Sequence, residues 1–126
     1  MLGAAHALAN PLTAAYGIAH GQAIAVMLPH VVRFNGEEFR GWYLDLLSGG
    51  NGDTLLPGPK EDVAGLANFV TELVTKAGLE TSLAALDVEK LRLPDLASEA
   101  AKQWTGRFNP RKAEQAEFLS LYQAAF

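Results

Sequence analysis

The chain has 126 residues, enough for one domain of ordinary size and too few for two. Apolar residues make up 49% and charged residues 19%, which excludes wholesale disorder, and Asp plus Glu (14) outnumber Lys plus Arg (10), so the net charge of −4 argues against a nucleic-acid-binding face. With no cysteine, disulfides, thiolate metal sites and cysteine nucleophiles are excluded, and the longest strongly apolar run, residues 23–28, is far short of the ~20 residues that cross a bilayer.

The opening stretch, Met1 to Tyr16, is rich in Ala and predicts a helix. Pro11 lies inside it and predicts a kink or break. A second helix is expected to open near His20-Gly21 and run toward Phe34. Residues 23–28 are apolar all round, as a central helix buried on most sides would be. That run also fits a buried strand, but no alternation and no partner strand appear elsewhere. Phe39, Trp42, Tyr43, Leu46 and Leu47 mark a third helix, ended by Gly49, Gly50 and Gly52. Glu37 and Glu38 then fall in its first turn, where negative charge suits the helix dipole.

Residues 48–59 read as the one long loop; their Ser-Gly-Gly-Asn-Gly-Asp segment lacks the spacing of a dinucleotide-binding glycine motif and follows a helix. Lys60 to Ala77 carries an apolar stripe at steps of three and four (Val63, Leu66, Ala67, Val70, Leu73, Val74), with Gly78 placed to end it. A helical turn over residues 82–86, a helix marked by Leu96, Ala97, Ala100, Ala101 and Trp104 behind Pro94, a break at Asn109-Pro110, and a last helix through Phe118, Leu121, Tyr122 and Ala125 complete the chain. The expectation is one all-α helical bundle over residues 1–126, with Phe39, Trp42, Tyr43, Trp104 and Phe118 in its core. No signal-peptide pattern opens the chain, so a soluble cytoplasmic protein with no membrane and no nucleic-acid partner is expected.

Three histidines are present: His6, His20 and His30. His6 lies on the first helix and His20 where the second begins; two helices joined by a short turn, here through residues 16–18, can bring such residues together. Imidazole is the commonest nitrogen ligand of divalent first-row metals. Spacing alone leaves two readings open: a metal pair, or two hydrogen-bonded, partly buried histidines. His30 is a poor third ligand, roughly 15 Å beyond His20 along a helix at about 1.5 Å per residue. Asn10 stands one turn after His6 on the same face and does not titrate near neutral pH. It reads either as a substrate-side hydrogen-bonding group or as a cap or turn residue before Pro11.

The stretch His6 to Asn35, "HALANPLTAAYGIAHGQAIAVMLPHVVRFN", resembles the signature of the iron-containing (group III) alcohol dehydrogenases. His6 and His20 keep that family's fourteen-residue spacing, and Gly21, Leu28-Pro29-His30 and Arg33-Phe34-Asn35 fall in place. "KAGLETSLAALDV" and "NPRKAEQAEFLSLYQAAF" are similar to the family's closing segments, with Glu80 where a proline is usual. The resemblance implies a C-terminal all-helical domain of a longer enzyme. There His6 and His20 would be two of the ligands of a divalent metal, iron or zinc. It also implies an upstream α/β domain for NAD(P), not present in these residues, and a second pair of metal ligands upstream, equally absent. The metal would act as a Lewis acid on the oxygen of a small alcohol or aldehyde while hydride passes to or from the nicotinamide. Many members carry histidine where this chain has Asn10, which therefore implies a different proton path or substrate.

Three expectations follow. In an intact enzyme this chain supports NAD(P)-dependent alcohol oxidation or aldehyde reduction. Alone it is catalytically inactive. As a truncated relative it exposes the face that the missing domain would cover, and it self-associates as a homo-oligomer.

Overall fold

The computed structural model describes residues 3–47 and 62–126, all of them in helices or connecting turns, with no strand among the described residues. Five helices follow one another: α1 (Ala4–Tyr16), α2 (His20–Leu47), α3 (Val63–Lys76), α4 (Leu93–Lys102) and α5 (Gln115–Ala124). Short 3₁₀ turns at Ala84–Leu86, Lys90–Arg92 and Trp104–Phe108 connect the last three. The all-α expectation holds; the long-loop reading of residues 48–59 lies outside the described residues.

Local chemistry explains most boundaries. Gly17 ends α1 in the left-handed conformation (φ 65°), and its N–H closes on the Thr13 carbonyl. Gly78 (φ 71°) ends α3 in the same way: its N–H bonds the Thr75 carbonyl and the Leu79 N–H the Val74 carbonyl, the paired bonds of a Schellman stop. At its start, the Asp62 carboxylate accepts from the Gly65 N–H. The first turn of α5 is closed reciprocally by Glu114 and Glu117.

Two boundaries differ from the sequence reading. Pro11 does not break α1, which runs through it; Leu8, Pro11 and Leu12 are all buried, and that packing outweighs the backbone hydrogen bond proline forfeits. The helices expected at 20–34 and 39–47 are both present as two segments of α2 that meet at a kink, and the break falls at Phe39, where the backbone leaves helical geometry (φ −114°, ψ 34°), later than the sequence reading placed it. Glu37 and Glu38 thus lie inside α2, not in a first turn.

The core gathers Leu8 and Leu12 from α1, Val26 and Met27 from α2, Leu93 and Leu96 from α4, and Phe118 and Tyr122 from α5. Leu83 and Val88 close it from the connection between α3 and α4. Phe118 is buried as expected, but Trp42 (61% exposed) and Trp104 (58% exposed) are not core residues. Helical periodicity does not distinguish an inward aromatic from an outward one at a helix end. Packing of α3 on α2 depends on Gly36, where an added Cβ would lie about 2.2 Å from a Val63 methyl, far inside contact distance. No helix among the described residues is long and apolar enough to cross a membrane.

Candidate metal centre

His6 is the third residue of α1 and His20 the first of α2. Only three residues separate the two helices, and the positive φ of Gly17 lets the chain reverse there. The two imidazoles therefore converge: their ring centroids stand 5.3 Å apart with planes inclined at 47°. Two imidazoles sharing one tetrahedral metal through ring nitrogens at about 2.0–2.1 Å have centroids roughly 5 Å apart. The pair thus fits a divalent metal in donor type and in separation. His6 is half-buried and His20 exposed, so the pair lies at the surface with its remaining approach open. Among the described residues no group of three or more His, Cys, Asp or Glu collects at one point, so these residues bring two donors, half of a full set.

Asn10 lies one turn beyond His6, and its Nδ2 donates to Gln103 Oε1 at 3.0 Å. Gln103 sits at the end of α4, a partner no local sequence pattern could indicate. Between α1 and α4 a cavity of about 250 Å³ is lined by Asn10, Ala14, Arg92, Asp95, Leu96 and Gln103. Asn10 is therefore a held amide lining that cavity rather than a helix-ending cap.

The helix that carries His6 is clamped to α5. The Tyr122 hydroxyl donates to the Leu8 carbonyl at 2.6 Å, fully buried. Burial drives the phenol far above its usual range, which favours the protonated, donating form. Sequence reading placed Tyr122 on the last helix but gave no sign of this bond, which joins residues 114 positions apart.

His30 does not join the pair. It faces a cleft of about 360 Å³ between α2 and α5, beside Arg33, Phe34 and Arg111. Burial, and then the neighbouring Arg33, hold its imidazole below the ordinary value, which disfavours a positive charge there. Arg111 is paired with carboxylates: its guanidinium bonds Glu37, contacts Glu38 at 3.2 Å, donates to the Phe34 carbonyl at 2.6 Å and lies 3.9 Å over the Phe34 ring.

Comparison with known proteins places these residues in context. The model of the Fe-containing alcohol dehydrogenase family, C-terminal, matches residues 1–126. The chain is 34% identical over 128 residues to 1,3-propanediol dehydrogenase of Citrobacter freundii, covering 99% of this chain and 32% of that protein. It is 32% identical over 127 residues to lactaldehyde reductase of Escherichia coli (strain K12), covering 99% of this chain and 33% of that protein. A crystal structure of 1,3-propanediol oxidoreductase superposes with a TM-score of 0.84 at 30% identity, covering 98% of this chain and 32% of that one. The chain spans about a third of the length of these relatives.

Proposed function

The chain belongs to the Fe-containing alcohol dehydrogenase family, whose C-terminal domain it matches from end to end, and from that premise we propose that it is the metal- and substrate-side domain of an NAD(P)-dependent alcohol dehydrogenase or aldehyde reductase. The observation that carries this reading is the convergence of His6 and His20. Both would hold a divalent metal, iron or zinc, as neutral imidazoles. When bound, that metal supplies a Lewis acid for the oxygen of a small alcohol or aldehyde. Asn10, one turn from His6, offers an amide on the substrate side and no titratable group, so it orients by hydrogen bonding and moves no proton. NAD(P) and the remaining metal ligands belong to the part of the enzyme upstream of these residues.

Alone, the chain is expected to give no metal-dependent oxidation of NADH or NADPH with short aldehydes. Joined behind the first two thirds of a relative such as lactaldehyde reductase, in place of that protein's own last third, it is expected to restore turnover, and His6→Ala is expected to remove it. A folded, metal-loaded fusion without activity contradicts the reading, as does turnover by the isolated chain.

A second reading has its own observation. Trp42, Leu46, Trp104 and Phe108 are each more than half exposed, with Trp104 and Phe108 packed edge to face. Apolar surface of this kind favours self-association, as a helical module without catalysis of its own. Sedimentation at moderate concentration is expected to show dimers or larger species, and a monodisperse monomer contradicts it.

A further inference from the structure

Three segments far apart in sequence meet at two carboxamides. Asn35, on α2, is only 3% exposed. Its Nδ2 donates to Asn109 Oδ1 at 3.1 Å, and Asn109 Nδ2 donates back to Asn35 Oδ1 at 2.7 Å. Asn109 Nδ2 also donates to the Arg111 carbonyl at 2.7 Å, and Asn109 Oδ1 accepts from the Ala4 backbone N–H at 3.3 Å. A carboxamide has two N–H donors and two oxygen lone pairs. All four capacities of Asn109 are used. The second N–H of Asn35 goes to the Tyr43 hydroxyl at 3.1 Å.

The bond to Ala4 has a particular meaning. Ala4 is the first residue of α1, and Gly3 before it has no side chain with which to cap the helix. Asn109 supplies the missing acceptor from 105 residues away. His6 lies in that same first turn, the part of a helix that opens most readily. The rest of α1 is held independently, by Tyr122 at Leu8 and by the turn into α2. The loop that carries Asn109 is itself fastened to α2 through Arg111, on the Phe34 carbonyl and the carboxylates of Glu37 and Glu38. The start of α1 is therefore referenced, through Asn109 and Asn35, to the helix that begins with His20.

We propose that Asn109 is a positioning residue for the imidazole pair: its side chain, locked onto Asn35, closes the first turn of α1 and so sets His6 opposite His20. The proposal deepens the reading of His6 and His20 as metal ligands and rests on it for its functional meaning. The positioning itself is readable without metal.

The experiment is solution NMR of the metal-free chain, following the nuclear Overhauser contact between the His6 and His20 ring protons. In the unaltered chain that contact is expected. Asn109→Ala is expected to abolish it or weaken it severalfold while the core resonances of Phe118 and Tyr122 keep their shifts. Asn109→Asp keeps the acceptor for Ala4 but loses both N–H donations, to Asn35 Oδ1 and to the Arg111 carbonyl, and is expected to weaken the contact less than Asn109→Ala does. Asp62→Ala, which removes the cap of α3 and touches nothing on α1, controls for general destabilisation and is expected to leave the contact intact. An undiminished contact in folded Asn109→Ala overturns the proposal. If Asn109→Ala does not fold, an undiminished contact in folded Asn109→Asp overturns it equally. Zinc titration of the same samples separates the two claims: Asn109→Ala is expected to weaken binding about tenfold, the effect typical of removing a group that orients a ligand. An unaltered chain that shows the ring contact yet binds no zinc sinks the metal reading and not the positioning.

Discussion

Replacing His6 with alanine is expected to lower the affinity of the chain for zinc at least roughly tenfold, about 1.4 kcal/mol, and His20→Ala is expected to do the same. The reason is the number of donors. The described residues bring two imidazoles to one place and no third group, so either substitution leaves a single nitrogen, which competes poorly with water for the metal. His30→Ala serves as the internal control and is expected to leave affinity unchanged, because His30 faces the separate cleft between α2 and α5. Calorimetric titration above the pH at which imidazole protonates reads all three variants. Undiminished binding by His6→Ala or His20→Ala would show that the metal sits elsewhere.

Phe118→Ala is expected to cost about 3–5 kcal/mol of folding stability, measured by denaturant unfolding. Phe118 is 1% exposed, its ring tip reaches the Trp104–Phe108 turn at Gly106, and it shares the core with Leu8 and Leu12. Truncation leaves a cavity lined by residues from α1, α4 and α5 that cannot collapse together without shifting α1. The neighbouring hydroxyl acts through a different force. Tyr122→Phe keeps the ring but deprives the Leu8 carbonyl of its side-chain donor, and is expected to cost about 1–3 kcal/mol. Leu91→Ala, at a side chain 92% exposed, is expected to change almost nothing. A Phe118→Ala protein as stable as the parent would contradict the described core.

The parts of this structure that were legible in the sequence are those encoded locally. The apolar stripe of α3, with Gly78 behind it, follows from the helical repeat and from the one residue that enters the left-handed region without strain. The proximity of His6 and His20 was also readable, because only a short turn lies between their helices. The continuity of α1 through Pro11 was not, since it depends on packing against distant segments, and the break between the two helical segments of α2 was placed a few residues too early, ahead of Glu37 rather than at Phe39. The outward placement of Trp42 and Trp104 escaped for a related reason: periodicity reports a face and not what that face meets. The motifs Arg33-Phe34-Asn35 and Asn109-Pro110-Arg111 were each visible as strings. That they interlock, Asn35 with Asn109 and Phe34 with Arg111, is a contact across more than seventy residues. No spacing rule within one sequence reports such a contact.

The account turns on one physical claim, that His6 and His20 are the pair through which this chain holds a metal. Titrating isotopically labelled chain with zinc, while following the imidazole resonances of all three histidines, tests it most directly. Joint, saturating changes at His6 and His20 with the His30 signals unmoved are the predicted result. Zinc-induced changes confined to His30, or none at any histidine, would contradict it.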